Sequence, residues 1–492
     1  MTAIGAVVPA MVERPTVTSE SAAPTPSSTI DGMADGRPAP SDPYNEQVSS
    51  DPTSGRGTDG QPVPDDAAAP GRASAASEPS PPVVASPAES ASDATLPAVN
   101  SDPIRVGVGI PDLGAVAALG PNYDDGDVEE QINALIDGWR NEGRIPINGR
   151  EVEFYLRSYD ILSPEAKRAA CKGWSRDDKV VAVFTVHNFF DAIECLPREE
   201  KVPLVATDYA FESVEASSRP YLFLTMPSVD SMWRNWIHWM DDNDLLEGSR
   251  IGLYYADGPG RREVVDATIK AELTRLGHGD KLVAEVTTDN DGTGSSQEQV
   301  AVQRFRTERV DLALLLISAI GQTNFMQSAE VQGYRPRYVA NDWYTTTNDA
   351  AASTFPASQY DGTLGMTSVR FGERNSGLPL TPEATACIDN YERYSGRRVT
   401  WQERPAEWMA LLQGCDAGTL LLEALERAGN DVTRDSVVTA LDATQNRPLA
   451  LHANVTWSRD YHHGPQLQRT LKWQADCACW RVEGDFAPFY VP

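Results

Sequence analysis

The sequence predicts an α/β protein of parallel strands and intervening helices, set behind a long segment that needs no fold of its own. Short apolar runs of strand length recur at 104–110 (IRVGVGI), 152–160 (VEFYLRSYD), 180–186 (VVAVFTV) and 202–207 (VPLVAT). Each is rich in Val, Ile or aromatic residues, and each gap leaves room for an amphipathic helix, which is the pattern of parallel βαβ units. Residues 1–100 are rich in Pro, Ala, Ser and Asp, contain no Lys or Trp, and have Tyr44 as their one aromatic residue. Such a stretch buries too little apolar surface to offset its ordering entropy and reads as a disordered tail or spacer.

The remaining elements follow in order. YLFLTMPSVDSMWRNWIHWM at 221–240 starts as a strand, passes Pro227 and Ser228, and becomes a Trp-rich amphipathic helix. IGLYYAD at 251–257, DKLVAEV at 280–286, VDLALLLIS at 310–318 and PRYVAND at 336–342 supply a second set of parallel strands. REVVDATIKAELTRLG and NFMQSAEVQGY give the helices between them, closed by Gly277 and Gly333. Beyond DGTLGMTSV at 361–369 come helical patterns at 381–395, 405–428 and 433–442. After Arg447, NRPLALHANVTW leads into LQRTLKWQADCACWRV, whose period-two alternation reads as a closing antiparallel pair.

The order of IRVGVGIPDLGAVAALG, EQINALIDGW and INGREVEFYL, then IGLYYADGPGRREVVDA, DLALLLISAIGQTNFMQSAEVQGYRPRYVANDW and DAGTLLLEALERAGNDVTRDSVVTAL resembles the type I periplasmic solute-binding proteins. Within these it is similar to the branched-chain amino-acid (Leu/Ile/Val) binding family of ABC transporters, from Ile104 to the C-terminus. The resemblance implies two Rossmann-like lobes with parallel sheets joined by a three-strand hinge. Residues 101–225 plus 362–447 would form lobe one and 226–361 plus 448–492 lobe two, with 361–369 carrying the chain back to lobe one. Ligands of open α/β sheets bind beyond the carboxyl ends of the strands, so such lobes face each other across a cleft that closes by hinge motion.

The net charge is −29, of which −9 lies in residues 1–100 and −20 in the remainder. That balance argues against nucleic acid and against an electrostatic grip on anionic membranes. No apolar run approaches the ~18 residues of a membrane helix. The opening AIGAVVPAMV is apolar but lacks a basic start and a lipid-attachment cysteine. An export signal upstream of Met1 would reconcile this with an extracytoplasmic, cell-surface or secreted location, against a cytoplasmic alternative.

Six cysteines allow 15 connectivities, and they fall into three local pairs: Cys171 with Cys195, Cys387 with Cys415, and Cys477 with Cys479. In the family a disulfide joins the two helices that match those of Cys171 and Cys195. A loop of about 25 residues would gain roughly 3.5 kcal/mol in the chain-entropy model. Cys387 and Cys415 lie on successive helical stretches and suit an inter-helix staple. The CAC spacing is wrong for a zinc knuckle, and a tight Cys477–Cys479 bridge stays open as a reading.

The family resemblance also assigns candidate ligand contacts. The turn after the third strand, Thr185, Val186, His187, Asn188 and Phe189, would supply hydroxyl and backbone N–H groups to a ligand carboxylate; Asn188 serves equally as a helix N-cap. Thr207 and Tyr209 follow the fourth strand, but Asp208 between them would oppose a carboxylate. On lobe two the candidates are Asp257 of YYADGPG, Ser318, Asn341 and Trp343, the last forming an aromatic platform with Tyr344. Pro259 stands where the family often shows a Tyr. His462 and His463 precede Gly464 and Pro465 and read as surface residues rather than a metal pair. DNDGTG at 289–294 has Val300 rather than Glu at the twelfth position and reads as a polar loop.

No GxSxG, GxxxxGK or HExxH motif occurs. The expectation is therefore a non-enzymatic, monomeric, extracytoplasmic solute-binding protein without cofactor or metal. It would capture an amino-acid-like molecule, an amide or a small carboxylate between its lobes for an ABC permease. The alternative is a ligand-sensing regulator on the same fold, which neighbouring kinase or permease genes would separate from the first.

Overall fold

The computed structural model describes residues 102–114, 116, 124–258, 260–289 and 295–490. The proposed tail 1–100, Pro259 and most of the DNDGTG loop lie outside these residues.

Five parallel strands form the first sheet: β1 (Ile104–Asp112), β2 (Val152–Asp160), β3 (Ala182–Thr185), β4 (Leu204–Ala206) and β5 (Leu222–Leu224). Their order is β2-β1-β3-β4-β5, with Val106 of β1 paired to Phe154 on one side and Ala182 on the other. β3, β4 and β5 are buried along their whole length, which explains their continuous apolar sequence, since parallel sheets are covered on both faces. Helix Val128–Asn141 starts at Asp127, whose side chain accepts from the Glu130 N–H at 2.9 Å, a helix cap. Its Ile132, Leu135, Ile136 and Trp139 are buried at helical spacing.

Helices Pro382–Ser395 and Pro405–Ala428 pack against this helix. Gly418 permits the closest approach, because a Cβ there would stand 2.3 Å from the Trp139 ring. Helix Arg434–Asp442 completes this layer and starts with a reciprocal capping box between Thr433 and Ser436.

The second sheet holds β6 (Ile251–Ala256), β7 (Leu282–Thr288), β8 (Leu312–Leu316), β9 (Arg337–Asn341), β10 (Leu364–Thr367), β11 (Leu467–Gln474) and β12 (Cys479–Val482). Their order is β12-β11-β10-β9-β8-β6-β7, and β13 (Ala487–Pro488) pairs with β11. The strands from β6 to β10 are parallel, and β11 and β12 close the sheet antiparallel. β10 is hydrogen-bonded between β9 and β11, so the stretch 361–369 stays in the second sheet until Thr367.

Three stretches pass between the sheets, at 225–228, 368–370 and 463–466, and they gather around segment 449–453. His452 pairs as a bridge with Val369, and its Nε2 lies 3.1 Å from Thr225 Oγ1. Asp416 anchors the segment, accepting from the backbone N–H groups of Ala450 (2.6 Å), Leu451 (3.0 Å) and His452 (3.2 Å) and bonding His452 Nδ1 at 2.7 Å. Gly464 lets the third stretch lie on the first: a Cβ there would come within 2.6 Å of the Leu224 carbonyl oxygen.

His462 and His463 correct their surface reading, since both are buried. His462 stacks on Phe223 with ring centres 4.0 Å apart and bonds the Leu222 carbonyl and Asp442, each at 2.8 Å. Those partners lie far away in sequence, so local turn chemistry did not foretell burial.

Disulfides join Cys171 to Cys195, Cys387 to Cys415 and Cys477 to Cys479. Among the described residues no helix is long and apolar enough to cross a membrane. Nor do the described residues hold a group of three or more His, Cys, Asp or Glu that could grip a metal ion.

Candidate functional site

The carboxyl ends of both sheets and the hinge enclose a cleft of about 310 Å³. The first lobe contributes Asp125, His187, Asn188, Phe190, Thr207, Asp208 and Tyr209, together with Met409 and Gln413 of helix Pro405–Ala428. Ser318, Asp342, Tyr344 and Asn348 face them from the second lobe, and Met226, Val369, Phe371 and Leu451 form the hinge side.

The turn after β3 is built around a carboxylate of the chain itself. Asp208 accepts the Asn188 N–H at 2.8 Å on one oxygen and the Phe189 N–H at 3.0 Å on the other. Asn188 therefore adopts a left-handed backbone with φ of 60°, a region that Asn tolerates better than most residues. It does not cap a helix: its side-chain amide meets His187 Nδ1, while His187 Nε2 meets Asp125. Tyr159 pins the turn from below, its hydroxyl donating to the His187 carbonyl at 2.7 Å.

Burial alone would lower the His187 pKa, but the charge of Asp125 and its hydrogen bond, with a smaller contribution from Asp208, raise it above its ordinary value. Burial pushes the Asp208 carboxyl up, partly offset by the two N–H bonds and the charges of His187 and Lys167. Asp342 is saturated, accepting from Thr347 Oγ1 at 2.6 Å and from the Ser368 N–H and hydroxyl at 2.7 Å each. Thr207 and Gln413 also line the cleft, and their Oγ1 and Oε1 atoms are buried with no hydrogen-bond partner among the described residues.

Aromatic rings bridge the lobes. Tyr209 stacks on Phe190 at 6.2 Å between ring centres and meets Tyr344 of the second lobe edge-on at 6.5 Å. Below them Phe211 meets Trp343 edge-on at 6.1 Å. Arg261 Nε donates to the Tyr344 hydroxyl at 3.1 Å, and Tyr344 holds a positive φ of 56°. Such backbone strain in a non-glycine residue persists where surrounding contacts over-determine it.

Among the nine expected contact residues, the cleft brings together His187, Asn188, Thr207, Tyr209 and Ser318. Ser318 also caps its helix, accepting the Gly321 N–H at 3.2 Å. The other four lie elsewhere. Thr185 is fully buried on β3, where its methyl group packs on Gly109. Asp257 turns to solvent in an ion pair with Arg262 at 2.6 Å, and that hydrogen bond lowers its pKa. Asn341 Oδ1 accepts the Trp343 N–H at 3.0 Å and so braces the platform instead of facing the cleft. Trp343 is buried beneath Tyr344, with the rings stacked at 4.9 Å.

A family model described as Periplasmic binding protein matches residues 103–478. The chain belongs to that family. Solved structures of similar fold include a possible leucine/isoleucine/valine-binding protein from Rhodopirellula baltica SH 1. It is 15% identical with a TM-score of 0.57, over 80% of this chain and 98% of that one. A solute-binding protein of an ABC transporter from Rhodopseudomonas palustris BisB5, in complex with 3,4-dihydroxy benzoic acid, is 16% identical with a TM-score of 0.57, over 79% and 98%. A branched-chain amino-acid ABC transporter protein from Thermus thermophilus with bound valine is 15% identical with a TM-score of 0.57, over 79% and 96%. A comparison with curated protein sequences gives no match.

This periplasmic binding protein places residues in its cleft that the candidate set lacked, among them Asp125, Phe190, Met409 and Gln413. Gln413 carried a usable signal: a lone amide in the run MALLQGCDAGTLLL, on a helix otherwise buried almost throughout. Asp125 carried none, because its partner His187 is 62 residues away.

Proposed function

We propose that this periplasmic binding protein works outside the cytoplasm, captures a small molecule between its lobes and delivers it to an ABC permease. The observation that carries the reading is a cleft walled by both lobes, where the aromatic rings of Phe190 and Tyr209 from one lobe meet Tyr344 of the other. Contacts from both walls favour the closed arrangement, and the transporter reads that arrangement as a shifted population. The aromatic residues Phe190, Tyr209 and Tyr344 suit a ligand with an apolar or aromatic body.

Capture without chemistry also fits the one histidine among the described lining residues. Both ring nitrogens of His187 are engaged, one by Asp125 and one by Asn188, so it activates no nucleophile. A thermal-shift and calorimetric screen against amino acids, amides, amines and small carboxylates tests the proposal. One or more ligands should raise the melting temperature and bind one to one; silence across all four classes would remove it.

A further inference from the structure

We infer that the cleft selects a protonated amine on an apolar or aromatic body and disfavours ligands that carry a carboxylate. The inference rests on the capture reading above and adds the charge of the ligand to it. Its starting point is the turn 187–189, whose Asn188 and Phe189 N–H groups would otherwise suit an incoming anion. Asp208 already accepts both, so the chain supplies its own carboxylate where a ligand's would sit.

The charges around the cleft point the same way. Asp125, Asp208 and Asp342 line it, and the described lining residues include no Lys or Arg. Among them His187 is the one group able to carry positive charge, and it is held between Asp125 and Asn188. Two cations lie behind the walls. Lys167 is fully buried and paired with Asp191 behind Phe190, and Arg261 bonds the Tyr344 hydroxyl. With His187 protonated, the lining still carries a net negative charge, which repels an anion and attracts a cation in a site of low dielectric.

An ammonium group brings three donors and no acceptor and so answers the lining carboxylates, whereas a ligand carboxylate brings only acceptors to them. Tyr209, which stacks on Phe190 by one face, adds an aromatic wall suited to cation–π attraction.

Matched ligands test this by calorimetry on the full chain: phenethylamine, phenylalanine and 3-phenylpropionate, with isobutylamine, valine and isovalerate as the aliphatic set. In each set the amine should bind at least tenfold tighter than the acid that lacks nitrogen, with the amino acid between them. Asp125→Asn, which removes one lining charge, should narrow the preference for amine over acid about fivefold, and an unchanged preference overturns the charge assignment. A carboxylate that binds as tightly as its amine overturns the charge assignment and leaves capture standing. Absence of binding by all six, alongside silence in the broader screen, overturns both.

Discussion

Gln413 and Asp416 lie one turn apart on the same helix and face two different regions. Asp416 points into the hinge, where its carboxylate meets three backbone N–H groups and His452. Gln413 lines the cleft, and its Oε1 has no hydrogen-bond partner among the described residues. Both are buried. Asp416 ties segment 450–452 to the helix and so fixes the path beside the crossing stretches, while Gln413 takes part in no such network.

The largest way to break this contrast is Asp416→Ala. Removing the acceptor of three buried donors should cost about 4 kcal/mol in urea unfolding; a loss under about 1 kcal/mol would show that the network does not hold the hinge. Next comes the disulfide beside it. Replacing Cys387 and Cys415 by Ser opens a loop spanning 28 positions and should cost about 3.5 kcal/mol, whereas Cys477 and Cys479 close a loop so short that roughly half of that is expected. Equal losses at the two bridges would contradict loop closure as their cause.

Gln413→Leu should move stability by less than about 1 kcal/mol, since it replaces an unmet acceptor with an apolar group. The effect expected last concerns His187, whose pKa is raised in the folded protein despite burial, through Asp125 and Asp208. A raised histidine stabilises fully below its ordinary value and loses that contribution as pH climbs through the raised one. The stability gap between the wild type and His187→Gln should therefore be widest in mild acid and narrow toward pH 9. A gap that widened with pH would mean that Asp125 does not hold the proton on His187.

How much of this was legible in the sequence follows the same division. The strands were visible because β3 and β4 are buried on both faces and leave apolar runs, and β1 is buried from Val106 to Pro111. The Cys171–Cys195 bridge followed from resemblance to a family whose helices carry the same pair. The cleft was less legible because its details are non-local. Asp208 was visible as an unfavourable charge, but its bonds to Asn188 and Phe189 span about 20 residues and depend on a left-handed turn. Trp343 and Tyr344, expected together as a platform, stack on each other with Tyr344 lining the cleft and Trp343 buried beneath it, an order that local sequence does not display.

The central claim, capture of one small molecule by both walls of the cleft, is tested most directly by calorimetry on Tyr209→Ala and Tyr344→Ala. One residue comes from each lobe, and the ligand is the tightest binder of the six matched compounds. Each substitution should weaken binding at least tenfold while the wild type binds one molecule per chain. Wild-type affinity in both variants would contradict the account.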